Sequence, residues 1–329
     1  SWASLADTFV FNNPDFLPVF AAGNDGADRN KDGRIDEGSV SSPGSAKNVL
    51  TVGASKNLLL EGGIQRKMME MRDGANKWGV SPIAESKLSE DARGMAAFSS
   101  RGPTADGRLK PEVVAPGTNI VSARSKHPKA KPEDSWGIYD DNYLYMGGTS
   151  MATPLTAGAM AIVRQMLIQK TGAATVSAAL MKATVANTAE DLFPGQFGER
   201  AVGQEQPTRR PNNHEGWGRV NLATLVNEKN LLVADERAGL ATGQEKVIEV
   251  THSGGSALKV TLAYSDAAAA VNSTKTLVND LDLTVVGPNG TVYFPNGKTG
   301  KDSVNNMEQI DVLAAPAGKY QVLVKGANV

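Results

Sequence analysis

The chain has 329 residues, no cysteine and a formal net charge of -1. No disulfide or thiol chemistry is available to it, and the charge balance offers nothing to a nucleic acid or an anionic membrane. No apolar run reaches the roughly 20 residues of a membrane span, so neither nucleic acid nor membrane is an expected partner.

The first half reads as a buried parallel sheet. Residues 17–22 (LPVFAA), 48–53 (NVLTVG) and 112–115 (EVVA) are short apolar runs ended by Gly or Pro, the pattern of strands covered on both faces. Such a sheet needs helices on each side, which makes the class α/β. Between these strands, residues 57–95 are rich in charge and include a helical stretch at 65–72. They are expected to form a surface insertion. Residues 150–169 carry Leu155, Ala159, Ile162, Val163 and Met166 at helical spacing, with Gly172 as the stop. A second helix is expected from an N-cap at Thr175 through Leu180. After about residue 240 the pattern changes to period two. The runs 247–251, 258–264, 281–285 and 320–324 alternate apolar with polar residues, and 288–290 (PNG) and 317–318 are turn signals. These features predict an antiparallel sandwich or jelly roll over 240–329, after an α/β domain over 1–230.

The chemistry concentrates in 147–154 (GGTSMATP). Small residues lead into Ser150 and a helix follows it, which places its hydroxyl where free backbone N–H groups favour developing negative charge. Serine is also a common N-cap. Residues 28–36 (DRNKDGRID) set Asp28, Asn30, Asp32 and Asp36 at positions 1, 3, 5 and 9 around Gly33. Oxygen side chains at that spacing suit calcium, although Ser39 stands where a bidentate Glu would close the loop. The other reading is a hydrophilic surface loop. Asp266 ends one predicted strand, and Asp280 and Asp282 begin another. Carboxylates at strand ends are either solvated charges or a second calcium site.

The string GTSMATP resembles the nucleophile motif of the subtilisin-like serine proteases. Three further segments agree with it in order: 20–24 (FAAGN), 98–104 (FSSRGPT) with 110–117 (KPEVVAPG), and 216–221 (GWGRVN). Then 278–283 (VNDLDL) and 288–291 (PNGT) are similar to the C-terminal jelly roll of the oxidation-resistant alkaline subtilases. The resemblance implies a secreted endopeptidase acting on proteins and peptides. It casts Ser150 as the acylated nucleophile, Asn24 as an oxyanion donor, and Ala21, Ala22 and Gly23 as the wall of the substrate pocket. It also raises the calcium reading of Asp280, Asp282 and Asp266.

One departure limits it. Subtilases order their triad Asp, His, Ser, yet His127, His214 and His252 all follow Asn24 and none lies in a matching motif. Each reads as a surface loop residue. The expectation is a chain lacking the N-terminal segment that bears the Asp and His, and lacking a last jelly-roll strand, so that alone it has no peptidase activity. The other class of reading is a non-catalytic, calcium-stabilised binding protein on a subtilase scaffold.

Overall fold

The computed structural model describes residues 1–227, 230–270 and 273–329. Helix α1 (Trp2–Asn12) is capped by the Ser1 hydroxyl, which accepts from Ser4 N. Strands β1 (Val19–Ala21), β2 (Leu50–Ser55) and β3 (Val113–Pro116) form a parallel sheet in the order β1-β2-β3. Every residue of β2 is buried, which is why its sequence is continuously apolar or small rather than alternating. A short helix α2 (Gly74–Trp78) precedes β3. Strands β4 (Ile120–Ala123), β5 (Gly137–Ile138) and β6 (Tyr143–Met146) make a separate antiparallel sheet in the order β4-β6-β5. Helix α3 (Thr149–Thr171) packs across all three strands of the parallel sheet, and α4 (Ala178–Thr188) packs beside it. The chain is thus of the α/β class. A short helix α5 (Leu222–Asn227) follows.

Helix α3 ends as expected. Gly172 adopts the left-handed conformation, with φ 68°, and its N–H bonds Ile168 O. Ala159 and Val163 are buried, whereas Leu155 and Ile162 stand 46% and 45% exposed. By length and composition alone α3 could cross a bilayer, but here it is the helix laid on the sheet. The cap of α4 differs from expectation. Ser177, two residues beyond Thr175, accepts from Leu180 N.

Residues 57–95 are not a surface appendage. The helical stretch expected at 65–72 is one 3-10 turn, Met68–Glu70. Met68, Trp78, Ile83 and Leu88 belong to the main hydrophobic core. The segment also bonds neighbouring loops: Asn57 N donates to Thr118 Oγ1 at 2.9 Å, Asp28 N to Lys77 O at 2.8 Å, and Trp78 Nε1 to Gly26 O at 3.1 Å. Its charges face outward while four widely spaced apolar side chains face in. A reading by charge density misses that division.

The C-terminal part is antiparallel throughout. Strands β7 (Glu245–His252), β8 (Leu258–Ala263), β9 (Asp280–Val286), β10 (Val292–Tyr293), β11 (Met307–Val312) and β12 (Gly318–Asn328) form a four-stranded sheet, β10-β9-β12-β7, and a two-stranded one, β11-β8. Leu283, Val285, Tyr320 and Val322 of the first share a core with Ile310 and Val312 of the second.

Buried charge ties this part to the α/β part. Lys47 Nζ donates to Asp266 Oδ2 at 2.5 Å, Ala267 O at 2.6 Å and Thr276 O at 2.5 Å. Asn48 reaches Asp7 on one side and Asp266 on the other. Asn306 Nδ2 bonds Lys47 O, and Arg210 pairs with Asp311 at 3.0 Å. Beneath them Glu112 joins Lys110 at 2.6 Å and Lys182 at 3.1 Å. Burial, with Lys182 beside it, pulls Lys110 down to about 7 against the attraction of Glu112. Burial pushes Glu112 up, but the two lysines outweigh it and hold it below the usual range.

Candidate active site

Strand β1 leads directly to Gly23 and Asn24, and α3 starts directly before Ser150. Both Asn24 and Ser150 are exposed. Thr149 joins them. Its N–H and hydroxyl both donate to Asn24 Oδ1, at 2.9 and 3.1 Å, and its hydroxyl oxygen accepts from Gly23 N at 3.3 Å. With Oδ1 committed to Thr149, the Asn24 amide turns its Nδ2 donor the other way. A Cβ built on Gly148 would lie 3.5 Å from Asn24 Nδ2, 3.6 Å from Asn24 Oδ1 and 3.7 Å from Ser150 N, all ordinary contact distances. The Asn24 amide and the Ser150 N–H therefore both lie against residue 148. Gly148 also holds φ 136°, a conformation that favours glycine.

The approach to Asn24 is fixed from behind. Ala22 N donates to Val52 O at 2.9 Å, and Ser100 N donates to Gly23 O at 2.9 Å. Asp25 N donates to Ser100 Oγ at 3.1 Å. A Cβ on Gly23, whose φ is 112°, would meet Ser100 Oγ at 2.7 Å. Of the three expected pocket residues, Ala21 and Gly23 are partly exposed and Ala22 is buried.

None of the three histidines bonds Ser150. His127 lies exposed in the loop between β4 and β5, and His252 packs edge-on against Tyr320, 6.1 Å between ring centroids. His214 corrects the expectation of a surface residue: it is 2% exposed, with Nε2 3.8 Å from Glu37 Oε1. Burial, helped by Arg101 and Arg34, drives its pKa well below the normal imidazole value.

The loop 28–36 coils on its own backbone. Asp28 is fully buried and accepts from Asp32 N and Gly33 N, both at 3.0 Å. Asn30 Oδ1 accepts from Asp32 N at 3.0 Å, Asp32 Oδ1 from Arg34 N at 2.9 Å, and Asp36 Oδ2 from Arg29 N at 2.8 Å. Gly33 takes φ 81°, as the sharp turn requires. Asn30, Asp32, Asp36, Glu37 and His214 border an opening of about 180 Å³. Among the described residues, no three His, Asp or Glu side chains converge closely enough to grip a metal ion as they stand.

Asp266 is a different matter from its two expected partners. It accepts from Lys47 Nζ, Val278 N at 2.9 Å, Asn279 N at 2.8 Å and Asn279 Nδ2 at 2.9 Å. Protein donors occupy both its oxygens, so it serves as a tie rather than a ligand. Asp280 and Asp282 do come together, on one strand two residues apart. Asp282 Oδ2 accepts from Lys301 Nζ at 2.7 Å, while Asp280 Oδ1 is buried without a partner. Sequence reasoning missed Glu308 beside them. Its Oε2 accepts from Leu283 N at 2.7 Å and its Oε1 is a second buried oxygen without a partner. Burial, with Asp302, Asp282 and Asp280 nearby, pushes Glu308 up to about 9. The available signal was a glutamate at an inward position of β11, in phase with Ile310 and Val312.

A serine at a helix start and an asparagine after a strand end are joined here by Thr149, and comparison with known proteins gives the family. The model of the subtilase family matches residues 1–218, and the chain belongs to that family. It is 29% identical, over 70% of its length, to the serine protease/ABC transporter B family protein tagA of Dictyostelium discoideum. It is 26% identical over 99% of its length to tagD of the same organism. It is 33% identical over 44% of its length to the serine protease AprX of Bacillus subtilis. The chain spans 14%, 23% and 25% of these relatives' own lengths.

Proposed function

We propose that this chain carries the nucleophile and oxyanion site of a serine endopeptidase. The observation that carries the reading is the Thr149 tie, which commits Asn24 Oδ1 and holds the Asn24 amide against the turn that begins α3. Ser150 Oγ attacks the substrate carbonyl carbon and gives its proton to a histidine base. The carbonyl oxygen becomes an oxyanion held by Asn24 Nδ2 and Ser150 N. Collapse expels the amine, which takes the proton, and leaves an acyl ester on Ser150. Water then attacks the ester and gives its proton to the same histidine, and collapse of that second intermediate returns the proton to Ser150 Oγ and releases the acid. The three histidines of this chain lie elsewhere, so we assign the base and its orienting Asp to a segment outside these 329 residues. The exposed apolar side chains of α1, Trp2, Leu5 and Phe9 among them, offer that segment a seat. Alone, the chain is read as inactive. Its substrates on this reading are proteins and peptides, and its place of action is outside the cell.

The test is kinetic, on the chain joined to its Asp- and His-bearing segment. Asn24→Ala is expected to lower kcat by about 10²–10³, the effect known for one oxyanion donor in a subtilisin, with a much smaller change in KM. A kcat unchanged in Asn24→Ala would count against the oxyanion assignment.

Two calcium sites complete the reading, and we read the C-terminal sheets around the second as the jelly roll of the alkaline subtilases. In the first, Asn30, Asp32 and Asp36 line one opening together with Arg34, on a loop whose backbone Asp28 already braces, and a cation would draw their oxygens from the backbone N–H groups they now accept from. In the second, Asp280 and Glu308 each hold a buried oxygen without a partner, and a cation that drew these two side chains and Asp282 together would satisfy both. Asp266 is left out. A ligand at 100 times its Kd adds about 2.7 kcal/mol to the folded state. Chelator should therefore lower the melting temperature by about 5–10 °C. Asp32→Ala should abolish part of that shift and Glu308→Gln another part. A melting curve indifferent to chelator would remove both sites.

A further inference from the structure

Residues 118–147 leave the core at Gly117 and return at Gly148, where Gly148 N donates back to Gly117 O at 2.8 Å. The sheet β4-β6-β5 is therefore hung from a clip two residues ahead of Ser150. Trp136, the residue before β5, anchors this sheet, donating its N–H to Tyr145 O at 2.9 Å. Its indole lies on the Gly147 backbone. A Cβ built on Gly147 would sit 1.9 Å from the ring, and the next two nearest atoms, at 2.0 and 2.6 Å, belong to the same ring. Residue 147 has no side chain because the indole fills that space. The ring also meets Phe98 edge-on, centroids 6.1 Å apart. Phe98 stands two residues ahead of Ser100, the buttress of Gly23 and Asp25. Trp136 thus bridges the turn that delivers Ser150 and the segment that supports Asn24. Phe98 is buried, whereas Trp136 is only partly covered, and Ile138 and Tyr139 beyond it are 55% and 58% exposed.

The geometry points to Trp136 as the residue that selects the substrate side chain next to the bond being cut, in favour of an apolar one. This rests on the reading of Ser150 as nucleophile. An indole packed on the Gly147 backbone, Phe98 and the edge of the main core yet still partly exposed is held in place, so an apolar side chain laid against its open part gains contact with little ordering cost. A charged side chain would lose hydration against the indole of Trp136 and meet no counter-charge on it. Differences of one or two methylenes in such a pocket are worth about 10–200-fold in kcat/KM. That range is enough to shape a cleavage pattern.

The experiment uses the active protease, this chain with its Asp- and His-bearing segment, on a denatured protein mixture. Cleavage sites are read by mass spectrometry, and a fluorophosphonate reports whether Ser150 is reactive. The parent should show an apolar preference at one position flanking the cut. Trp136→Ala should weaken that preference about tenfold. Gly147→Ala, whose methyl group must displace the indole, should weaken it in the same direction. A profile unchanged in Trp136→Ala overturns the assignment. Should that variant fail to fold, Trp136→Phe decides: its smaller ring should shift the preference toward larger apolar side chains, and an unchanged profile again overturns it. The two readings fail separately. A parent that takes no label removes the nucleophile itself, whereas a labelled parent with an indifferent variant removes only Trp136.

Discussion

Ser150→Ala is expected to abolish fluorophosphonate labelling of the assembled protease and to lower kcat on peptide substrates by about 10⁶, the scale set by the same change in a subtilisin. The loss should be of chemistry and not of fold. Ser150 is exposed at the start of α3, and the first-turn bonds at Gly148 come from the backbone N–H groups of Met151 and Ala152. Thr149, not Ser150, supplies the side-chain bonds that hold Asn24. Ala at 150 therefore keeps the two proposed oxyanion donors in place, and its melting temperature should match the parent's within about 2 °C, as for a surface substitution. Residual hydrolysis of about 10³–10⁴ over water should persist from those donors and from binding, as in a subtilisin. Adding Asn24→Ala to Ser150→Ala should lower that residual rate further, because it removes one of the donors on which the rate rests. Labelling that survives Ser150→Ala would place the nucleophile elsewhere.

Local strings pointed to the two ends of the proposed site. GTSMATP and FAAGN name Ser150 and Asn24, and the apolar runs around them located β1, β2 and β3 to within two residues. Glycine punctuation located the end of α3. What escaped was set by contacts between distant residues. The role of Thr149 depends on a partner 125 positions away. The β4-β6-β5 sheet has strands of two to four residues, too short for a period-two signal. Residues 57–95 carry their apolar side chains so far apart that charge dominates the sequence, although those side chains enter the core. His214 looks like a loop residue in its own segment and becomes buried only because Arg101 and the 28–37 loop close over it. Asp266 was the sharpest misreading. A carboxylate at a strand end suits a metal or a solvated charge, and only the fold brings Lys47 to it.

That pair carries the second large effect. Lys47 and Asp266 have side chains with no exposed surface, and each is fully engaged. Lys47 spends its three donors on Asp266, Ala267 and Thr276, and Asp266 takes in three N–H groups besides. Removing one partner leaves the other charge buried and uncompensated, which costs about 3–5 kcal/mol. Lys47→Met and Asp266→Ala should each lower the melting temperature by about 10 °C at neutral pH. The double variant should cost at least about 1 kcal/mol less than the sum of the two, since the second change removes a charge the first had orphaned. Strict additivity would mean the ion pair is incidental to the fold. The form of the transition carries further information. Asp266 lies just after β8, Lys47 just before β2, and Asn48, Asn306 and Arg210 cross the same boundary. With the tie intact, the α/β part and the C-terminal sheets should unfold together in one calorimetric step. With Asp266→Ala, the six-stranded C-terminal part keeps its own core of Leu283, Val285, Ile310 and Tyr320 but loses its main anchor, and a second, separate transition should appear. A single step that merely moves to lower temperature would show that the remaining polar bridges suffice to hold the two parts as one cooperative unit.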